Sequence, residues 1–505
     1  MKERLKTITL ASLVALSLVQ SYMLAYSTPG TAVRTAQNYV NTEQMGPESR
    51  IEDVLFPEQL ILHFGNGNHT VFNPGDLPFY NLIMSKLKGR EFRGFQRMKH
   101  TALRWNEIRE TNLGLELRLG SGLPVTLLSR MLQLDSSDDA FLKDTIEKIW
   151  IYRSGSEEVR TYFFSKDGST VYEATQADLT VRDVEDDVGL GEFWTPYQPD
   201  AYGLYVPQQP IEAAQASIGY QAYSPDLLQR NLFRGTTRMI KDRDGSQVYT
   251  DGKRALQVEQ NGRWISYTDP AVPFSEAGQT PSNPFGSMSS AVQFVNQYGG
   301  WDGQHQLTGL SGSTAGTLQG INGSPADSET DSGGEQHALL FRQYFRFGEN
   351  RILPVVPTPD FRFGFIRLSV QQGVVTTYER SLIKLDSSPA HKSPRWLPGG
   401  AELEAALAGY ARRAEIESLY PAVKANMAED GRLYVVPVWA VRLADGTEEE
   451  LGGALGEGFD GSSIPRQNLS AKTEEDAGNA DGAETDSAET ARNEAEDGLR
   501  HIEEG

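Results

Sequence analysis

The 505-residue chain contains no cysteine. That absence removes disulfide frameworks, thiolate metal sites and thiol nucleophiles together, and the protein must be stable in whatever redox compartment it occupies. Cationic charge is scarce as well: 47 Lys and Arg stand against 68 Asp and Glu, a formal charge of −21. Nucleic acid is therefore not an expected partner, because binding its phosphates requires a basic face. Apolar residues are not scarce. At 38% of the chain, with 10% aromatic, they supply packed cores and exclude a wholly disordered protein. At ~100–200 residues per domain, the length suggests two to four domains.

The common hydrolase and phosphate-binding motifs are missing too. There is no Gly-x-Ser-x-Gly, no His-Glu-x-x-His and no phosphate loop. Two Ser-x-x-Lys pairs, Ser85/Lys88 and Ser381/Lys384, have the spacing of a serine nucleophile with a lysine base, but no Lys-Thr-Gly accompanies them. Surface or packing roles are expected for both. The seven histidines are scattered singly, and His63, inside an apolar run, reads as a structural histidine. Asp242-Arg-Asp244-Gly245 opens like a calcium loop, yet its glycine comes two positions early and no bidentate glutamate follows, so a hairpin turn is the reading. No catalytic residue, metal site or cofactor is expected. Glycosidase-type carboxylate pairs are defined by separation in space and stay open at this point.

Charge and apolarity separate to the two ends of the chain. Residues 446–505 form an acidic tail: from 445 onward there are 18 acidic and 4 basic side chains, and no aromatic residue follows Phe459. Such a composition predicts a disordered extension. At the other end, Lys2, Arg4 and Lys6 form a basic tip (1–6) before the uncharged stretch Thr7–Tyr26, which as a helix is long enough to cross ~30 Å of hydrocarbon. Basic residues before the span and none after it until Arg34 put the amino terminus in the cytoplasm and the bulk of the chain outside. Met23 stands where a signal-peptidase site at Ala25 would want a small residue, so an uncleaved anchor in the lipid bilayer is expected. Within the span, Ser17, Gln20 and Ser21 fall at i, i+3 and i+4, a polar stripe able to pair with another membrane helix.

Between the ends, residues 27–50 read as a stalk, with structure beginning near Ile51. A first α+β region covers 51–205: strand Leu60–Phe64, a helix over Phe79–Leu87 with Asp76 as N-cap, strand Leu113–Leu119, helix Val125–Leu134, and a meander Lys148–Arg153, Val159–Phe164, Thr170–Ala174. Turn pairs Asp251-Gly252 and Asn261-Gly262 announce hairpins in a central α+β region, 206–350. A helix near Met288–Tyr298 and strands at Gln304–Leu307 and Ala338–Phe347 follow. Residues 308–336 hold 16 Gly, Ser or Thr among 29 and predict a mobile insertion. Strands Phe361–Gln371 and Val374–Leu385, a helix with Leu403 and Leu407, and strand Leu433–Leu443 give a similar third region, 351–445. The expected architecture is thus a membrane helix followed by three extracellular α+β domains, the last two alike.

The amino terminus MKERLKTITLASLVALSLVQSYMLAY, the segment LILHFGN…HTVFNPGDLPFYNLIMSKLKGREF, VYTDGKRALQV, LFRQYFRFGENRILPV and LYVVPVWAV together resemble the YycH (WalH) family over roughly residues 1–445. The resemblance implies a single-span membrane protein without enzymatic activity. It would act outside the cell on the sensor histidine kinase WalK, with the related protein YycI, to tune the WalK/WalR system of cell-wall metabolism. Partner contact would run partly through the membrane helix, where Ser17, Gln20 and Ser21 lie. An extracellular ligand-binding or wall-active surface protein is the alternative.

Overall fold

The computed structural model describes residues 6, 44–76, 78–233, 235–241, 245–270, 283–313, 336–346, 352–358, 361–386, 391–428 and 431–452. Of the chain's two compact units, Met1–Phe459 and Asp460–Gly505, the first holds all of them.

The first sheet has ten strands: β1 Gln59–Phe64, β2 His69–Phe72, β3 Glu91–Lys99, β4 Leu113–Pro124, β5 Gln133–Asp135, β6 Thr145–Arg153, β7 Val159–Ser165, β8 Thr170–Ala177, β9 Pro196–Pro199 and β10 Tyr205–Pro207. Their order is β10-β9-β2-β1-β4-β6-β7-β8-β3-β5. β1 lies well inside it, and all but its last residue are buried. The β6–β7–β8 meander follows from local turn chemistry. At its second turn the Asp167 carboxylate accepts from the backbone N–H groups of Ser169 and Thr170 at 2.7 and 2.8 Å, and Gly168 takes φ +69°. Helix Phe79–Lys88 packs Tyr80, Ile83, Met84 and Leu87 inward. Helix Val181–Gly189 starts at a capping box in which Thr180 Oγ1 accepts from Asp183 N–H and Asp183 Oδ2 from Thr180 N–H.

The remaining strands are β11 Ile211–Ile218, β12 Tyr220–Ala222, β13 Arg238–Lys241, β14 Gln247–Thr250, β15 Ala255–Glu259, β16 Trp264–Thr268, β17 Gln304–Ser313, β18 Gln336–Arg346, β19 Ile352–Val356, β20 Phe365–Gln371, β21 Val374–Ser381, β22 Ile383–Leu385, β23 His391–Leu397, β24 Ile416–Met427, β25 Leu433–Leu443 and β26 Glu448–Glu450. Twelve run β13-β14-β15-β16-β21-β20-β18-β19-β24-β25-β11-β23, with β17 on β18 and β26 on β25, while β12 and β22 form a separate pair. Positive φ at Asn261-Gly262 and Gln372-Gly373 gives the mirror-image turns that match strand twist. Helix Pro284–Gln297 has Pro284 in its first turn and an Asn283 cap accepting from Phe285 N–H. It packs on β18, β20 and β21. One apolar core runs from Leu60 and Phe72 of the first sheet through Met288 of helix Pro284–Gln297 and Trp301 after it to Tyr378 of the second sheet.

Four expectations change. Val125–Leu134 is not one helix: only Val125–Leu128 is helical, and Gln133–Asp135 becomes β5, pairing parallel with β3. Asp76 lies ahead of the cap position Pro78, and its carboxylate accepts from Asn73 N–H at 2.8 Å. β17 extends to Ser313, into the Gly- and Ser-rich segment, because it has β18 to pair with throughout. Strand pairing cuts across the boundary expected at 350/351. β20 and β21 complete the sheet of β16 and β18, while β11, from before residue 220, pairs with β23 and β25.

Candidate functional site: the strap and its buried ion pairs

Ser17, Gln20, Ser21, Lys2 and Arg4 lie outside the described residues, and Lys6 is helical and exposed. Among the described residues no helix is long and apolar enough to cross a membrane, and the 7–26 stretch is not among them. The question the described residues do answer is what the chain holds on to as it enters the folded region.

Residues 44–59, ending on the first residue of β1, form a strap, and its first contact is with the end of helix Pro284–Gln297 and the segment that leads from it to β17. Met45 N–H donates to Gly299 O at 2.8 Å, and Trp301 N–H donates to Pro47 O at 3.0 Å. Asn296, at the end of helix Pro284–Gln297, closes the contact with three bonds. Its Oδ1 accepts from Ser49 N–H at 3.0 Å and Trp301 Nε1–H at 2.7 Å, and its Nδ2 donates to Ser49 O at 2.9 Å. Two glycines let the backbones approach: a Cβ on Gly46 would sit 1.6 Å from Trp301 O, and one on Gly300 (φ +69°) 2.2 Å from Gly46 O. Structure therefore starts before Ile51, and 44–50 is folded rather than stalk-like.

Behind this contact Arg380 of β21 is fully buried. Its Nη1 donates to Gly300 O at 2.7 Å, and its Nη2 meets Asp302 Oδ1 at 3.1 Å. His305 Nε2 lies 3.4 Å from the same oxygen, and burial lowers the His305 pKa although Asp302 pulls it the other way. A buried guanidinium keeps its charge, so it demands a fixed carboxylate and carbonyl cage.

Further along, the strap reaches the carboxyl-terminal strands. Leu307 N–H donates to Val54 O at 2.9 Å, and Gln306 Nε2 donates to Phe56 O at 2.7 Å. Arg442 of β25 donates from Nη1 to Glu58 Oε1 at 2.7 Å, Ser418 Oγ to Glu58 Oε2 at 3.2 Å, and Gln59 Nε2 to Leu419 O at 2.9 Å. Glu58 and Arg442 are nearly inaccessible to solvent. Nearby, Arg342 pairs with Glu448. β1 begins at the last of these contacts, with Gln59.

A second polar cluster lies inside the first sheet. His63 of β1 and His69 of β2 are register partners with Nδ1 atoms 2.9 Å apart, so one ring donates and the other accepts. His63 Nε2 stands 3.6 Å from Glu116 Oε2, and Arg118 Nε donates to Glu116 Oε1 at 2.9 Å. Burial pushes Glu116 up, but Arg118, His63 and Lys148 outweigh it and hold the carboxyl well below its usual range. Burial first, then His63 and Arg109, bring His69 down to about 4, and burial lowers His63 as well. The pair is therefore neutral at physiological pH. His63 is the buried, bonded histidine that the apolar run predicts; His69 was not singled out, although it sits within the next apolar segment.

The Ser-x-x-Lys pairs do not form sites. Ser85 is exposed and donates to Leu82 O; Ser381 is buried in β21 while Lys384 is exposed on β22. Asp242 and Asp244 lie outside the described residues, and Gly245 occupies the β13–β14 turn at φ +87°. No group of three metal-binding side chains occurs among the described residues.

Residues 3–190 match the family model described as YycH protein, N-terminal domain. That segment is similar to the amino-terminal domain of the YycH family. Among solved structures, the crystal structure of YycH from Bacillus subtilis aligns with a TM-score of 0.57 at 16% identity, over 80% of this chain and 98% of that one, which shows a shared fold. An uncharacterized protein from Eubacterium rectale aligns with a TM-score of 0.32 at 9% identity, over 47% of this chain and 81% of that one. No curated protein matches.

Proposed function

We propose that this chain is a membrane-anchored extracellular regulator of the sensor histidine kinase WalK, acting with YycI to adjust WalK/WalR signalling in cell-wall homeostasis. The observation that carries the reading is the family match over 3–190, which takes in both the uncharged 7–26 stretch and eight of the first sheet's ten strands. In this reading Lys2, Arg4 and Lys6 hold the amino terminus in the cytoplasm, residues 7–26 span the bilayer, and everything after Tyr26 lies outside. The regulator works without chemistry of its own. What the outer regions experience reaches the strap at 44–59 and, through it, the anchor.

The anchor then acts by helix packing. Ser17, Gln20 and Ser21 form one face, and Gln20 bonds across to a membrane helix of WalK or YycI, a contact worth ~0.6–2 kcal/mol. Replacing all three by Leu keeps span length and topology while removing the face. A membrane two-hybrid or cross-linking assay should show weaker assembly than wild type and than a control altered at Thr9 and Ser12. Assembly and WalR-dependent transcription equal to wild type would move recognition to the outer regions. A reporter fused after residue 444 should be active only outside the cytoplasm, and cytoplasmic activity would end the topological part of the proposal.

A further inference from the structure

We infer that the outer edge of β3 receives an acidic extended peptide from a partner protein as an added strand. On one side β3 pairs with β8 from Phe92 to Lys99. On the other side β5 covers only Glu91 to Arg93. Gly94, at φ +67°, marks the point where that cover ends, and a side chain there would drive a Cβ to 2.4 Å from Thr175 Oγ1. From Gly94 to Lys99 the outer edge therefore has no strand beside it among the described residues; Gly94 O accepts from Thr175 Oγ1 at 2.9 Å, and the residues beyond it present an open strand edge.

Charge says what fits there. In a chain of net charge −21, residues 90–104 carry Arg90, Arg93, Arg97, Lys99, His100 and Arg104 against Glu91 alone. Arg90, Arg93 and Arg104 already have carboxylate neighbours at Asp183, Asp135 and Glu107. Arg97 and Lys99 are exposed and make no ion pair among the described residues; Arg97 Nη2 donates only to Thr170 Oγ1, at 3.2 Å. As residues i and i+2 they project from the same face of β3. An added strand with carboxylates at alternate positions would meet both. On the β8 side of these residues lies a groove of about 660 Å³, lined in part by Arg97, Lys99, His100, Ser169 and Thr170.

The other candidate occupants fit less well. A second copy of β3 would set arginine and lysine against arginine and lysine, a like-charge pairing that destabilises a sheet. A polyanion would satisfy the side chains but leave the strand edge unpaired. The far edge of the second sheet, β23, carries Pro394, which has no N–H to offer.

The test uses the full chain in lipid nanodiscs and a fluorescent Glu-Val-Glu-Val-Glu-Val peptide, read by polarisation. Saturable binding is expected, weakening as salt rises to about 0.5 M, and roughly tenfold weaker in the Arg97→Gln, Lys99→Gln double variant. The decisive arm keeps the wild-type protein and methylates alternate backbone nitrogens of the peptide, removing the donors on one edge at a time. Of the two resulting peptides, one should bind at least about tenfold more weakly and the other should not. Absence of binding, or equal binding by both methylated peptides, would overturn the proposal. So would displacement of the peptide by polyphosphate at matched charge, which would reassign the surface to polyanions.

Discussion

The two buried polar clusters differ in how far the chain travels to build them. His63, His69, Glu116 and Arg118 come from β1, β2 and β4, adjacent strands of one sheet. Glu58 and Arg442 are 384 residues apart, and Arg380 reaches back 80 residues to Gly300. The local cluster contains two imidazoles that burial keeps neutral beside an ionised carboxylate. The long-range clusters are built on guanidinium–carboxylate pairs, Arg442 with Glu58 and Arg380 with Asp302. The contrast separates two ways of building: the first sheet closes its cluster between neighbouring strands, while the ion pairs of the strap region join residues far apart in the chain.

Breaking the long-range side should have the largest effect. Arg380→Met leaves Asp302 buried without its partner, and a loss of about 3–5 kcal/mol in unfolding free energy is expected. Denaturant titration of the full chain checks this, and a loss under about 1 kcal/mol would mean that solvent reaches Asp302. Arg442→Met, exposing the same weakness at Glu58, should behave alike.

The local side is sharpened by pH. Unfolded histidine takes up its proton near 6.5, whereas folded His69 resists until about 4. The unfolded chain therefore binds more protons across that window, and stability should fall as pH drops through it, by up to about 3 kcal/mol. His63, Glu116, Arg109, Arg118, Lys148 and Tyr205 surround the site, and Glu116 alone among them favours the protonated ring. Two Nδ1 protons cannot share the 2.9 Å contact, so the second protonation is the disruptive one. In His69→Phe the slope between pH 6.5 and 4 should flatten; an unchanged slope would assign it to other groups.

Smaller effects come from the strap itself. Gly46→Ala should force the strap away from Trp301 and cost about 1–3 kcal/mol. Hydrogen exchange should speed up at the Met45 and Trp301 amides and stay unchanged in β6–β8. The smallest change is expected from deleting 466–505, whose composition offers no aromatic and little apolar surface to a core. A melting temperature within about a degree of the intact chain is the predicted result.

Elements with a strong local signal were legible. Strand Leu433–Leu443 is read to the residue, and Asn261-Gly262 marks the β15–β16 hairpin because only residues tolerant of positive φ can fill that turn. β3 was missed because four basic residues and a glycine break its alternation over Arg90–Lys99. β24 was missed although its pattern is strongly apolar, with Pro421 in mid-strand arguing against it. The capping signals Thr180-x-x-Asp183, Ser224-Pro225 and Asn283-Pro284 were present and went unused. The strap could not be read. Residues 44–50 have the composition of a linker, and what folds them is Asn296, Gly299 and Trp301, which no local pattern ties to Gly46.

The central proposal is that the outer region adjusts signalling through a strap seated on the end of helix Pro284–Gln297 and the segment after it. The most direct measurement is WalR-dependent transcription in cells carrying Gly46→Ala, compared at equal membrane abundance with wild type and with a strain lacking the protein. A strap that is the coupling element predicts transcription at the level of the lacking strain, while exchange protection in β6–β8 persists. Wild-type transcription from a protein whose strap amides exchange freely would contradict it.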